Sequence, residues 1–235
     1  MTRYNVLGLI LIILVGIFCI GLGLSFRTER RRTAAGFRGA VLRLALCAVF
    51  SLVAFVSGSM WRESFEIRSQ IYFTALDIVA AGLLFCIPGD FFSSYIGKDN
   101  RFFSVSLVTL TVAQLLFLAG MSLINLLDGW VPALITAAVL VILYAVMLRR
   151  GIWKNPCRSR GLMTVCLVAC ALAAGKAFAG FLSDPEGTAL LLSAGCFLFF
   201  LGVLLTGTRA GYLTSTLCFA ASMLTALSCG PLLAG

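Results

Sequence analysis

Apolar stretches of about 20 residues follow one another almost without pause along this chain, and the basic residues gather in every second gap between them. A helix rises about 1.5 Å per residue, so a hydrocarbon core of roughly 30 Å is crossed by about 20 residues. Eight stretches have that length: Tyr4 to Leu24, Ala40 to Met60, Ile71 to Tyr95, Phe102 to Ile124, Trp130 to Leu148, Gly161 to Leu182, Thr188 to Thr206 and Ala210 to Leu233. They are continuous rather than alternating, and backbone amides in lipid need partners within their own segment, so helices rather than strands are predicted. Hydrophobic residues make up 61% of the chain and charged residues 11%, which leaves too little polar surface to clothe a water-soluble core. The expected fold is all-α: one integral membrane domain over residues 1–235, a polytopic bundle of eight transmembrane helices.

Charge fixes the expected orientation. The gap from Arg27 to Gly39 holds Arg27, Arg30, Arg31, Arg32 and Arg38, whereas the next, from Trp61 to Gln70, sets Arg62 and Arg68 against Glu63 and Glu66. The first gap is therefore expected in the cytoplasm. Lys98 and Arg101 follow on the same side, then Arg149, Arg150, Lys154, Arg158 and Arg160, then Arg209, while the opposite gaps carry Asp128, Asp184 and Glu186. Both termini then lie outside a bacterial-type plasma membrane. The formal net charge of +9 is split among short loops that face anionic head groups, so the expected partners are membrane lipids and not nucleic acid. The first apolar stretch lacks a small-residue cleavage site and is longer than a signal core, so it reads as retained.

Cysteine and histidine usage narrow the chemistry. Eight of the nine cysteines fall within spans, and Cys157 falls in a cytoplasmic loop, so no disulfide framework is implied. Cys166 and Cys170 lie four apart on one helix face, a spacing open to metal binding, but no second ligand pair accompanies them and buried thiols usually pack as small hydrophobes. The chain has no histidine, which excludes Ser-His and Cys-His nucleophiles and imidazole metal sites. No metal or other cofactor is implied, and the oligomeric state is left open.

Four ionisable residues sit inside the apolar stretches: Arg43, Asp77, Asp90 and Lys176. A charge at the bilayer centre costs about 2.5 to 3.5 kcal/mol on insertion scales, so such groups normally face the bundle interior and find partners. Asp77 and Lys176 each lie about six residues, or roughly 9 Å, below the outer ends of their spans, and Arg43 and Asp90 both approach the inner face. Two ion pairs are expected, Asp77 with Lys176 and Arg43 with Asp90. One reading is that they only fix helix packing. Another is a polar cavity open to lipid head groups from the cytoplasmic side, with Asp90 at its base beside Arg43 and Gln114. Paired charges near opposite faces also suit a small-molecule transporter, although no inverted repeat is visible. Asp90 closes the run Phe85-Cys86-Ile87-Pro88-Gly89-Asp90, where Pro88 removes an intrahelical hydrogen bond and bends the helix. Small residues around Lys176, from Ala171 to Gly175, are expected to pack helices closely, and Trp61 and Trp130 sit at predicted outer boundaries.

The segment Gly82-Leu83-Leu84-Phe85-Cys86-Ile87-Pro88-Gly89-Asp90, followed by Val112-Ala113-Gln114-Leu115-Leu116-Phe117, resembles the central signature of the YhhN family of lysoplasmalogenase-like membrane proteins. Arg43, in Arg43-Leu44-Ala45-Leu46, looks like the basic residue near the start of that family's second span, and Gly195-Cys196-Phe197-Leu198-Phe199 is similar to the approach to its second acidic site. The resemblance implies an eight-span bundle that hydrolyses the vinyl ether bond of a lysophospholipid-like substrate, with Asp90 as a catalytic carboxyl and Arg43 and Gln114 at the substrate, while the embedded charges Asp77 and Lys176 are further candidates for substrate binding. Two departures stand out: Gln114 takes the place of a histidine, and Gly202-Val203 takes the place of Ser-Asp. Vinyl ether hydrolysis wants one acid and one base or anion, much as paired glycosidase carboxylates do. A lipid-binding or structural member without catalysis is therefore the alternative expectation.

Overall fold

The structure, a computed structural model, describes residues 45, 70–93, 100–124, 129–153, 160–183, 185, 187–208 and 213–228. The first two predicted spans lie outside the described residues, apart from Ala45, and so does Arg43. Six helices follow in order: α1 (Gln70–Ser93), α2 (Asn100–Ile124), α3 (Trp130–Arg149), α4 (Arg160–Ser183), α5 (Gly187–Leu205) and α6 (Thr214–Ser228). No strand occurs among the described residues. Three of these helices are long and apolar enough to cross a membrane, through Arg101–Leu123, Trp130–Arg149 and Gly161–Ser183, while α1 and α5 carry shorter apolar segments, Asp77–Gly89 and Ala189–Leu205.

The neighbour relations close a ring. α1 packs on α2, α2 on α4, α4 on α5, α5 on α6, and α6 returns to α1. α3 stands outside the ring and packs on α4. Its burial follows from that position: only Ala133, Ala137 and Tyr144 are buried, whereas Val131, Ile135, Val139 and Ile142 on its other faces are exposed. An apolar helix with an apolar outer face is suited to lipid, which leaves small residues and shape, rather than expulsion of water, to hold the helices together.

Small residues set the contacts. A methyl added at Gly82 of α1 would lie 2.6 Å from the Phe117 ring of α2, and one at Gly120 of α2 would lie 2.8 Å from the Ala75 carbonyl oxygen of α1. Gly175 of α4 presses on the Ala133 carbonyl of α3, and Gly195 of α5 faces Ala221 and Thr225 of α6. Pairings such as Gly82 with Ala113 and Phe117, and Ala75 with Gly120, run antiparallel. So do Gly175 with Ala133 and Thr164 with Tyr144 between α4 and α3.

The end of α3 is shaped by Arg149-Arg150-Gly151-Ile152-Trp153. Gly151 takes φ +67°, a conformation that costs glycine nothing. Its N–H donates to the Leu148 carbonyl at 3.2 Å and that of Ile152 to the Met147 carbonyl at 3.2 Å, the two bonds of a Schellman motif. The reversal turns Trp153 back onto Tyr144, edge to face with ring centres 5.1 Å apart.

Candidate functional site

Large apolar groups from five helices are buried in one cluster, among them Leu83 of α1, Phe117 of α2, Leu167 of α4, Phe199 of α5 and Phe219 of α6. Phe117 and Phe199 meet with ring centres 6.1 Å apart, which joins α2 to α5. Gln114 lies among these groups. On α2, Ala113, Phe117 and Gly120 turn toward α1, and Thr111 turns toward Cys166 of α4. The angular position of Gln114 at 100° per residue falls between those two directions, toward the middle of the ring. Its side chain is 0% exposed, and neither its amide nitrogen nor its amide oxygen has a hydrogen-bond partner. Leaving an amide unmatched in an apolar interior costs about 1–3 kcal/mol on mutational scales, so such a group calls for a partner. The Thr214 hydroxyl, 2% exposed at the start of α6, shares that condition.

Val203 belongs to the same interior. It is 1% exposed, on the face of α5 that also carries Cys196 and Phe199. α2 and α5 run in opposite directions, so from the Phe117–Phe199 contact Val203 falls within about a turn of Gln114 along the bundle. The place where the family resemblance asks for a second carboxylate is thus an inward-facing place, occupied by an isopropyl group.

Four buried thiols also line this region. Cys166 lies within hydrogen-bonding reach of Cys170 and Thr111, and Cys196 of α5 and Cys218 of α6 are within electrostatic reach of Cys170. The spacing of Cys166 and Cys170 was visible in sequence, whereas the approach of Cys196 and Cys218 depends on how three helices pack. Among the described residues no group of three or more His, Cys, Asp or Glu is placed to hold a metal ion.

Lys176 and Asp77 stand away from Gln114 along the bundle. Lys176 is 3% exposed, and its Nζ lies 4.7 Å from the centre of the Trp130 ring, at the start of α3. The approach follows from Gly175, whose missing side chain lets α3 come close at Ala133, one turn from Trp130. Asp77 is half-buried in α1. Its neighbours Ala75 and Val79 meet Gly120 of α2, so Asp77 lies level with Gly120. From the Thr111–Cys166 contact, nine residues along each helix bring Gly120 level with Gly175. Asp77 and Lys176 therefore share a depth, with α2 standing between their helices.

Asp90 lies in the last turn of α1, and its side chain falls outside the described residues. What surrounds its backbone is clear. Pro88 sits inside α1, and the Ser106 hydroxyl of α2 donates to the Gly89 carbonyl at 2.6 Å. A proline frees the carbonyl four residues before it and crowds the turn, so a cross-helix hydroxyl beside it steadies a weakened helix. Of the expected site residues, the structure brings Gln114 into the ring, places Lys176 on Trp130 toward one end of the bundle, and sets Asp90 in the last turn of α1, toward the other.

No protein-family model, no curated protein and no solved structure matches this chain.

Proposed function

We propose that this protein takes a lysophospholipid-like, single-chain lipid into its helix ring, in a plasma membrane that it crosses eight times with both termini outside and its basic loops in the cytoplasm. The observation that carries this reading is Gln114: an amide with both hydrogen-bonding atoms unmatched, in an apolar ring within a membrane-type bundle. A ligand with one apolar chain and a few polar atoms suits such a surrounding.

The family resemblance adds a reaction, hydrolysis of the vinyl ether bond. The Asp90 carboxyl would protonate the alkene carbon, water would add to the resulting oxocarbenium carbon, and the hemiacetal would collapse to a fatty aldehyde and a glycerophospho-alcohol. One water is consumed and the proton returns to the carboxylate. A second reading, binding without catalysis, is favoured by one observation: Val203 puts an aliphatic side chain at the inward position where a two-carboxylate mechanism needs an anion.

Purified protein in detergent, given a lysoplasmalogen, separates the two. Catalysis predicts aldehyde release that Asp90→Asn abolishes, whereas the second reading predicts saturable binding with no aldehyde. Absence of saturable binding to any lysolipid would overturn the reading itself.

A further inference from the structure

α3 turns one face to α4 and the opposite face away from the bundle. At 3.6 residues per turn Ile135, Val139, Ile142 and Val146 fall on one stripe opposite the buried Ala133, Ala137 and Tyr144. These four side chains are 40–60% exposed, and the same stripe ends in Arg149 and Arg150, both exposed. Arg150 keeps helical backbone angles, φ −77° and ψ 0°. From Ile135 to Val146 the stripe is about 16 Å long, close to half of the roughly 30 Å hydrocarbon core, which is the depth that the acyl chains of one leaflet fill. Arg149 follows about 4.5 Å further on, at the level of the head groups. The last carbonyls of α3 are closed by backbone: those of Val146, Met147 and Leu148 accept from the N–H groups of Arg150, Ile152 and Gly151, so neither guanidinium is needed as a helix cap. The turn after them folds inward, with Trp153 buried against Tyr144, and leaves the stripe open. Guanidinium forks grip phosphate oxygens two at a time, and two adjacent arginines favour a head group of net negative charge over one that also carries an ammonium.

We infer that this face of α3 holds one anionic phospholipid of the surrounding leaflet, of the phosphatidylglycerol type, with its phosphate between Arg149 and Arg150 and an acyl chain along Val146 and Ile142 toward Ile135. The site lies on the outside of the bundle, so it is separate from whatever the ring takes in. It asks for the same lipid in whichever leaflet α3 ends.

The full chain in detergent is offered dioleoyl phosphatidylglycerol and dioleoyl phosphatidylcholine in equal amounts, and bound lipid is counted by native mass spectrometry. The anionic lipid is expected to be retained about tenfold over the zwitterionic one. Arg149→Gln with Arg150→Gln is expected to bring the two near parity while the unfolding midpoint of the lipid-free protein stays unchanged. Arg149→Lys with Arg150→Lys, which keeps the charge without the fork, is expected to retain part of the preference. Arg30→Gln with Arg31→Gln removes the same two charges from another basic stretch and is expected to leave the preference intact. An equal loss in that variant would reduce the effect to net charge and overturn the inference, as would a preference that survives Arg149→Gln with Arg150→Gln. Soluble glycerophosphoglycerol at the same concentration is expected not to displace the lipid; displacement would mean that the phosphate is held without the stripe, and would overturn the lipid as occupant.

Discussion

The indole nitrogen of Trp153 donates to the carbonyl oxygen of Leu204 at 2.8 Å, across 51 residues of sequence, and ties the turn after α3 to the end of α5. The last carbonyls of a helix have no partner within it. Here the Val203 carbonyl accepts from the Thr206 backbone and hydroxyl, the Leu205 carbonyl accepts from the Thr208 backbone and hydroxyl, and Trp153 supplies the donor for the carbonyl between them. The ring face rests on Gly207, where a methyl group would fall inside the indole.

Trp153→Phe is expected to lower stability by about 1–3 kcal/mol, because the buried Leu204 carbonyl loses its donor. Gly207→Ala is expected to cost a similar amount by overpacking, about 1–3 kcal/mol. The two are coupled through one contact, so Gly207→Ala should cost little once Trp153→Ala has emptied the space. Thermal unfolding of the two single variants and the double variant in detergent checks this. Additive losses would mean that indole and glycine do not bear on each other.

The glycines of α4 make a sharper pair of expectations. Gly175 abuts backbone, the Ala133 carbonyl, which has nowhere to go unless α3 moves. Gly180 meets nothing within 4 Å. Gly175→Ala is expected to separate α3 from α4 and lower the unfolding midpoint, whereas Gly180→Ala is expected to be neutral or to stabilise by up to about 1 kcal/mol through helix propensity. Equal effects of the two substitutions would contradict the packing of α3 described here.

Much of this architecture was legible in the chain. α2, α3 and α4 begin and end within a few residues of the predicted stretches, because an apolar run bounded by charges leaves a helix few alternatives. The swap of Gly-Ala-rich faces for contacts was visible in kind, as small residues around Lys176, but not in partner. Neither the ring nor the peripheral place of α3 was readable, since helices that are apolar on every face carry no periodic stripe to say which side turns inward. The same limit applies to the candidate site. Gln114 entered through a motif, but its lack of any hydrogen-bond partner depends on four other helices. Trp153 gave no signal beyond an indole near a basic loop, and its role required α5. Arg43 and the Asp90 side chain fall outside what is described, so the inner ion pair stays an expectation.

Lys176 and Trp130 give an expectation at the end of the bundle where α3 begins. An ammonium over an indole face is worth about 0.5–2 kcal/mol, more as water is excluded. Trp130→Leu is expected to lower the unfolding midpoint, and Trp130→Phe, which keeps a π face, to lower it less. Lys176→Met removes the buried charge together with the contact, so it should abolish most of the difference between the Trp130 variants. A difference that persists in the Lys176→Met background would mean that the ring acts by packing alone.

The proposed orientation can be read from one native thiol. Of nine cysteines only Cys157 falls between the apolar stretches of the sequence, among Lys154, Arg158 and Arg160, and the rest fall within those stretches, where a maleimide meets little thiolate. If basic loops face the cytoplasm, intact cells treated with a membrane-impermeant maleimide should leave Cys157 unlabelled, and a permeant maleimide should label it. Cys157→Ser should remove the permeant label and so assign it. Labelling of Cys157 by the impermeant reagent in intact cells would invert the topology, bring Lys176 and Trp130 to the inner leaflet, and place Asp90 toward the outer one.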